Sequence, residues 1–441
     1  MSNYILIKKK IKKFKKKIIV SSDKSISIRS ILLASQAIGT TKISNLLESE
    51  DVLNTLKAVQ KLGINYKKKG NNYFIEGFGL NNFSIKKKIT INAGNSGTLA
   101  RLILGLLVKS KSTIKLVGDK SLSKRDFSRV IKPLKLFGVN IKSKNNYLPI
   151  EISGTDFLRP ISYNEKIGSA QVKSCIIFCA LNTPGTTLIN AKISRNHTEK
   201  LLESLDYPIK VKRVNSVDKI SIDGLSQFKS FKHIIPGDIS SASFFIVLTI
   251  LSQNSEMIIN NVNINESRIG IIKILNRMGA SIKLKNKKIY KGESIANIFI
   301  KSSKKLKGIN CPSSLNSSAI DEFLVIFLVA AKAKGVSIFK NLGELNKKES
   351  PRLNIALDFL KMIGIKTLRK KDNIKIFGNP NLEIKKNIHI EKYLKDHRVF
   401  MMSCIAALTF GGNWKINDKD SINTSFPFFL DILKSLGAEI N

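Results

Sequence analysis

The sequence predicts an α/β protein of two domains, each built from three strand–helix–strand–helix–strand units. Three observations lead there. Six stretches open with polar or small residues and run into an apolar helix: Asp23-Lys-Ser-Ile-Ser-Ile-Arg29, Asn95-Ser-Gly-Thr-Leu-Ala-Arg101, Ser169-Ala-Gln-Val-Lys173, Asp238-Ile-Ser-Ser-Ala242, Asp321-Glu322 and Asp396-His-Arg398. Their starts lie 72, 74, 69, 83 and 75 residues apart, which is a repeat. The third observation is length: 441 residues are enough for two full cores.

Each unit can be justified in order. In the first, Ile31, Leu32, Leu33, Ala34, Ala37 and Ile38 read as the body of a helix that Gly39 stops. Lys24, Ser25, Ser27 and Arg29 then stand at its mouth, where unpaired N–H groups and the positive end of the helix dipole favour an anion. A plain capped helix end is the competing reading of this motif alone. Behind every such helix comes a β-branched, alternating segment, expected as a strand: 40–45, 112–117, 185–190, 256–261, 335–341 and 412–416. An amphipathic helix follows, ending on glycine at Gly63, Gly138, Gly279, Gly364 and Gly437. The third unit has Asp206-Tyr-Pro208 in that place, so a different cap is expected there.

Pro236-Gly237 marks a crossing between domains, and a first strand over about 5–20 is expected to complete the second one. The predicted division is 22–236 against 1–21 plus 237–441, joined by two chain crossings that would act as a hinge.

Composition narrows the function. The net charge is +43, from 75 Lys+Arg against 32 Asp+Glu, and points to anionic partners: nucleic acid, a membrane surface or acidic substrates. The block 8–17 carries eight lysines without the interleaved aromatics of a single-strand binder, so no nucleic-acid partner is expected. The longest apolar runs fall short of the ~20 residues a membrane helix needs, and no signal-peptide run is present, so a retained N-terminus is expected. Four scattered cysteines suggest neither disulfides nor zinc, and a cytoplasmic setting follows.

The motifs also resemble a family. The first, Asp23-Lys-Ser-Ile-Ser with Arg29, is joined by Gly94-Asn-Ser-Gly-Thr98 with Arg101, and by Ser121-Leu122 with Lys124-Arg125. Next come Ser169-Ala-Gln-Val-Lys-Ser174, Ser194-Arg195 with His197-Thr-Glu199, Pro236-Gly-Asp238 and Ile320-Asp-Glu322. Lys348-Glu-Ser350 with Arg352, Asp396-His-Arg398 and Thr424-Ser-Phe-Pro427 complete the set. In this order they resemble the 5-enolpyruvylshikimate-3-phosphate synthase family across nearly the whole chain. The resemblance implies the two-domain enolpyruvyl transferase fold, six βαβαββ units in two inverse α/β barrel-like domains whose helix starts point at a cleft. It also implies transfer of the enolpyruvyl group of phosphoenolpyruvate to the 5-hydroxyl of shikimate 3-phosphate, with release of phosphate and no cofactor or metal.

By resemblance, Lys24 touches both substrates, and Ser25, Arg29, Ser169, Ala170, Gln171, Ser194 and Lys348 hold shikimate 3-phosphate. Asn95, Gly97, Arg125, Gln171, Arg352, His397 and Arg398 surround phosphoenolpyruvate, the arginines supplying two-pronged donors. Asp321 takes the proton from the 5-hydroxyl, and Glu349 serves the methylene carbon. An isolated Asp321 or Asp396 at a helix start would otherwise read as an N-cap. Gly97 borders the pocket that the herbicide glyphosate shares with phosphoenolpyruvate in the family, while a turn with positive φ is the alternative reading. Ser21-Ser22, Ile28, Asn346, Pro351 and Thr424 depart from the family pattern. The partners implied are the two small substrates, with the chain acting as a monomer. The sister transferase acting on UDP-N-acetylglucosamine is second, its Lys-Asn start and loop cysteine being unmatched at Lys24-Ser25 and 121–126. A basic nucleic-acid-binding protein is third.

Overall fold

The computed structural model describes residues 3–85 and 87–441. The chain divides into two compact units, one of 22–236 with 289–293, the other of 1–21, 237–288 and 294–441. Residues 289–293 form the turn of a long hairpin, which the sequence had grouped with 237–441.

Each unit has its own core and three small sheets. In 22–236 the strand orders are Lys232–Ile234, Ile38–Ser44, Asn72–Phe78, Tyr66–Lys69; then Ile89–Asn92, Ile114–Val117, Ile150–Ser153, Asn140–Ser143; then Ser162–Glu165, Thr186–Lys192, Val217–Asp223, Ile209–Val214. The first pair in each is parallel and the other two are antiparallel. The parallel strand of the first sheet thus comes from the far end of the unit, at Lys232–Ile234, so the unit closes on itself.

The other unit closes through the N-terminus. Residues 5–20, expected as one strand, form two in different sheets. Lys15–Ile18 runs parallel to Glu256–Asn263, and Tyr4–Ile7 runs antiparallel to Asn413–Asn417. The exposed run Lys8, Lys9, Lys10 lies between them. Two sheets of this unit have three strands: that of Tyr4–Ile7, Asn413–Asn417 and Asn387–Ile390, and that of Gly335–Phe339, Asn373–Gly378 and Thr367–Lys370, which has an isolated parallel bridge between Asn310 and Ile338 beside its edge.

Two kinds of helix alternate. Lys24–Ala34, Gly97–Leu106, Ala170–Leu181, Ile239–Leu251, Phe323–Lys332 and His397–Phe410 are buried along nearly their whole length, as helices apolar on all sides must be. Glu50–Lys61, Ser128–Leu136, Gly270–Arg277 and Arg352–Met362 bury one side only. The first inner helix ends at Ala34, earlier than expected, and Ile38 and Gly39 already belong to the next strand. The amphipathic helix of the first unit stops at Gly63 with φ of +90°, and in the third unit Asp206 takes the same left-handed place at +56°. None of the described helices is long and apolar enough to cross a membrane.

Candidate active site

Within 22–236 the expected residues form two groups. Asp23 caps the helix Lys24–Ala34 by accepting from the Ile26 N–H at 2.9 Å. Lys24 donates from Nζ to Asp51 Oδ2 at 2.8 Å, a buried carboxylate that no motif contained. Arg29 is not at the helix mouth in the way the sequence suggested. One turn into the helix it is only 3 % exposed, donating to Thr198 Oγ1 (2.8 Å), Ser174 Oγ (3.0 Å) and the Ser25 carbonyl (3.0 Å). It ties the helix starts at 24, 170 and 197 together. Ser169 caps the helix Ala170–Leu181, and the buried Ser194 hydroxyl has no hydrogen-bond partner among the described residues.

The second group surrounds the start of Gly97–Leu106. Ser96 caps it. Arg125 donates to Asn95 Oδ1 at 3.0 Å, and Asn95 donates in turn to Asp119 Oδ2 at 2.6 Å, which fixes the amide. Gln171 accepts from Arg101 at 3.0 Å and donates to Thr98 Oγ1 at 3.0 Å. Arg101 lies over the Phe127 ring at 4.9 Å; its motif was visible in the sequence, but no role was assigned to it. Gly97 does not have positive φ, so that alternative falls. A Cβ there would come within 2.8 Å of an Arg101 nitrogen and 2.9 Å of an Arg125 nitrogen.

In the other unit, Arg352 is the centre. It is buried, and its guanidinium meets three carboxylates: Asp396, at 2.8 Å from Nε and 3.1 Å from NH2; Glu349, at 2.5 Å; and Asp321, at 3.4 Å. Burial works against its charge, but the carboxylates outweigh burial and hold its pKa above the ordinary arginine value. Asp396 caps the helix His397–Phe410 through the Arg398 N–H and also accepts from Ser350 Oγ at 2.8 Å. Asp321 is no N-cap: the helix Phe323–Lys332 starts after Glu322. Its carboxylate lies 3.3 Å from Lys348 Nζ, while its carbonyl accepts from Arg398 at 2.7 Å. His397 Nδ1 lies 3.3 Å from the Thr424 hydroxyl, the position where some family members carry lysine.

Pro351 precedes the helix Arg352–Met362 and cannot cap it with a side chain. Asn346 supplies the acceptor instead, taking the Leu353 and Asn354 N–H groups at 3.0 and 3.3 Å. A buried relay absent from the sequence reading runs from Arg268 to Ser240 Oγ (2.6 Å) and on to Glu322 (2.5 Å), with Arg268 also on Asp238 at 3.1 Å. Arg268 lies in a loop with no helix-start signature, which leaves no local signal of its partners.

Six small β-sheets packed with buried helices make the two-domain enolpyruvyl transferase fold. The enolpyruvyl transferase NikO from Streptomyces tendae shares this fold at a TM-score of 0.76, 13% identity and 99% coverage of this chain, 98% of that one. The sequence places the chain more narrowly: residues 8–433 match the family model for EPSP synthase (3-phosphoshikimate 1-carboxyvinyltransferase), and the chain belongs to that family. The 3-phosphoshikimate 1-carboxyvinyltransferase of Ruthia magnifica subsp. Calyptogena magnifica is 43% identical over 96% of this chain and 95% of that protein. That of Zymomonas mobilis subsp. mobilis is 36% identical over 98% and 96%. An EPSP synthase structure from Acinetobacter baumannii superposes at a TM-score of 0.87, with 36% identity and 99% of both chains covered. These relatives favour the synthase reading over the UDP-N-acetylglucosamine and nucleic-acid alternatives.

Proposed function

We propose that the protein transfers the enolpyruvyl group of phosphoenolpyruvate to the 5-hydroxyl of shikimate 3-phosphate through the residues assembled above. The observation that carries this assignment is that Arg352 joins Asp321 and Glu349, the two carboxylates the reaction needs for moving protons. Asp321 removes the 5-hydroxyl proton as that oxygen attacks C2 of phosphoenolpyruvate. Glu349 delivers a proton to the methylene carbon, which gives a tetrahedral intermediate. Loss of a proton from the new methyl group back to Glu349 then expels inorganic phosphate and restores the double bond.

The binding roles are divided by substrate. Ser169, Ala170, Gln171, Ser194, Ser25, Arg29 and Lys348 hold shikimate 3-phosphate, with Arg29 acting through the helix starts it ties together. The Ser194 hydroxyl, buried and without a hydrogen-bond partner among the described residues, suits a phosphate oxygen. Asn95, Gly97, Arg125, Gln171, His397 and Arg398 hold phosphoenolpyruvate, Lys24 serves both substrates, and Arg352 sets the carboxylates around it. The protein acts as a monomer in the cytoplasm. Its four cysteines are all buried free thiols, which suits a reducing compartment.

Phosphate release tests the reading. It should require shikimate 3-phosphate and phosphoenolpyruvate together. Release with UDP-N-acetylglucosamine in place of shikimate 3-phosphate would overturn it.

A further inference from the structure

Immediately before Ser169 the chain makes a tight loop around one carboxylate. Glu165 accepts the backbone N–H groups of Ile167 (3.2 Å), Gly168 (2.7 Å) and Ser169 (3.1 Å). Glu165 is 5 % exposed and ends the strand Ser162–Glu165, which is held in register beside Thr186–Lys192. Gly168 has φ of +83°, and a Cβ on it would meet the Ile193 carbonyl at 3.3 Å and Lys192 side-chain carbons at 3.7 and 3.8 Å. The loop that ends in Ser169 is therefore seated against the segment that leads into Ser194. Three charge-assisted hydrogen bonds to a carboxylate anchored on a strand make this a rigid turn. Without them, three adjacent N–H groups beside a glycine would have to find water or another acceptor.

We infer that Glu165 is a positioning residue for shikimate 3-phosphate: it presets the spacing between Ser169 and Ser194, the two hydroxyls that receive the phosphate. The inference rests on the proposed reaction for the identity of that ligand. Glu165 spends its carboxylate on three backbone N–H groups and has no part in the proposed substrate contacts, so its effect is confined to the cost of ordering the loop when the phosphate binds. Re-ordering the backbone of one freed residue weakens affinity by about tenfold.

The test is calorimetric binding of shikimate 3-phosphate to the full chain, followed by steady-state kinetics, for wild type, Glu165→Ala and Glu165→Gln. Glu165→Ala should raise Kd and KM for shikimate 3-phosphate about tenfold. Its kcat and its KM for phosphoenolpyruvate should stay within about twofold, since Gln171, the phosphoenolpyruvate residue nearest this loop, is held separately by Arg101 and Thr98. Glu165→Gln keeps one carbonyl acceptor and should fall between wild type and Ala. If the alanine variant does not fold, the glutamine variant decides: an unchanged Kd for shikimate 3-phosphate overturns the inference. A parallel loss of kcat and of both KM values would also overturn it, since that would be general structural damage. A wild type that fails to bind shikimate 3-phosphate at all would instead count against the proposed reaction.

Discussion

Arg352 grips Asp396 with two nitrogens at 2.8 and 3.1 Å, and both side chains are sealed from solvent. The remaining reach of the same guanidinium goes to Glu349 and Asp321. Asp396 also caps the helix that carries His397 and Arg398. One buried ion pair therefore sets the geometry of most of the chemistry in this unit.

Breaking that pair should be costly. Asp396→Asn leaves a buried guanidinium with one charge partner fewer, and loss of one member of such a pair destabilises by about 3–5 kcal/mol. Denaturant unfolding should show a midpoint well below that of wild type. An unchanged midpoint would mean that the pair contributes nothing.

The same pair predicts an acid limit. Burial alone would push the Asp396 carboxyl up, but the adjacent Arg352 charge outweighs it and the net shift is downward from 3.8. As pH falls, the unfolded chain takes up this proton first. The stabilisation is therefore fully present above about pH 4–5 and is lost as pH falls through the lower folded value. Acid unfolding of Asp396→Asn should lack this component of the pH dependence, and identical acid profiles would remove Asp396 as its source.

Asp321→Asn and Glu349→Gln should each lower kcat by at least ~100-fold, the low end for groups that move protons. Binding of shikimate 3-phosphate, followed by calorimetry, should persist in both. Full turnover in either variant would exclude that carboxylate from proton transfer.

Gly97→Ala places a methyl carbon against Arg101 and Arg125, and both neighbours are tips of flexible side chains that can move. Folding should survive while the phosphoenolpyruvate KM rises. Glyphosate, the bulkier occupant of that wall in the family, should lose more affinity than phosphoenolpyruvate loses in KM. Equal shifts in the inhibition constant and the KM would show that Gly97 does not form that wall.

The +43 charge should act on capture and not on chemistry. Raising salt from low to physiological strength should increase KM for both anionic substrates and leave kcat nearly constant. A fall in kcat of the same size would place the screened charges in the chemical step.

The sequence by itself determined the repeat, the six helix starts and the family. Those signals are local: a capping side chain and the apolar body it opens lie within some fifteen residues of one another, as Asp23 and Ser169 illustrate. It also presented every residue expected at the site, but without their partners. Only the tertiary structure decided that Arg29 turns inward to Thr198 and Ser174, that Arg352 is buried among three carboxylates, and that Lys24 faces Asp51. It alone decided that residues 5–20 split between two sheets and that Glu165 closes the loop before Ser169. The physical reason is that a guanidinium or carboxylate has no preferred local conformation that would give away its partner. Its hydrogen bonds are settled by whichever donors and acceptors packing brings within 3 Å, often more than a hundred residues away along the chain.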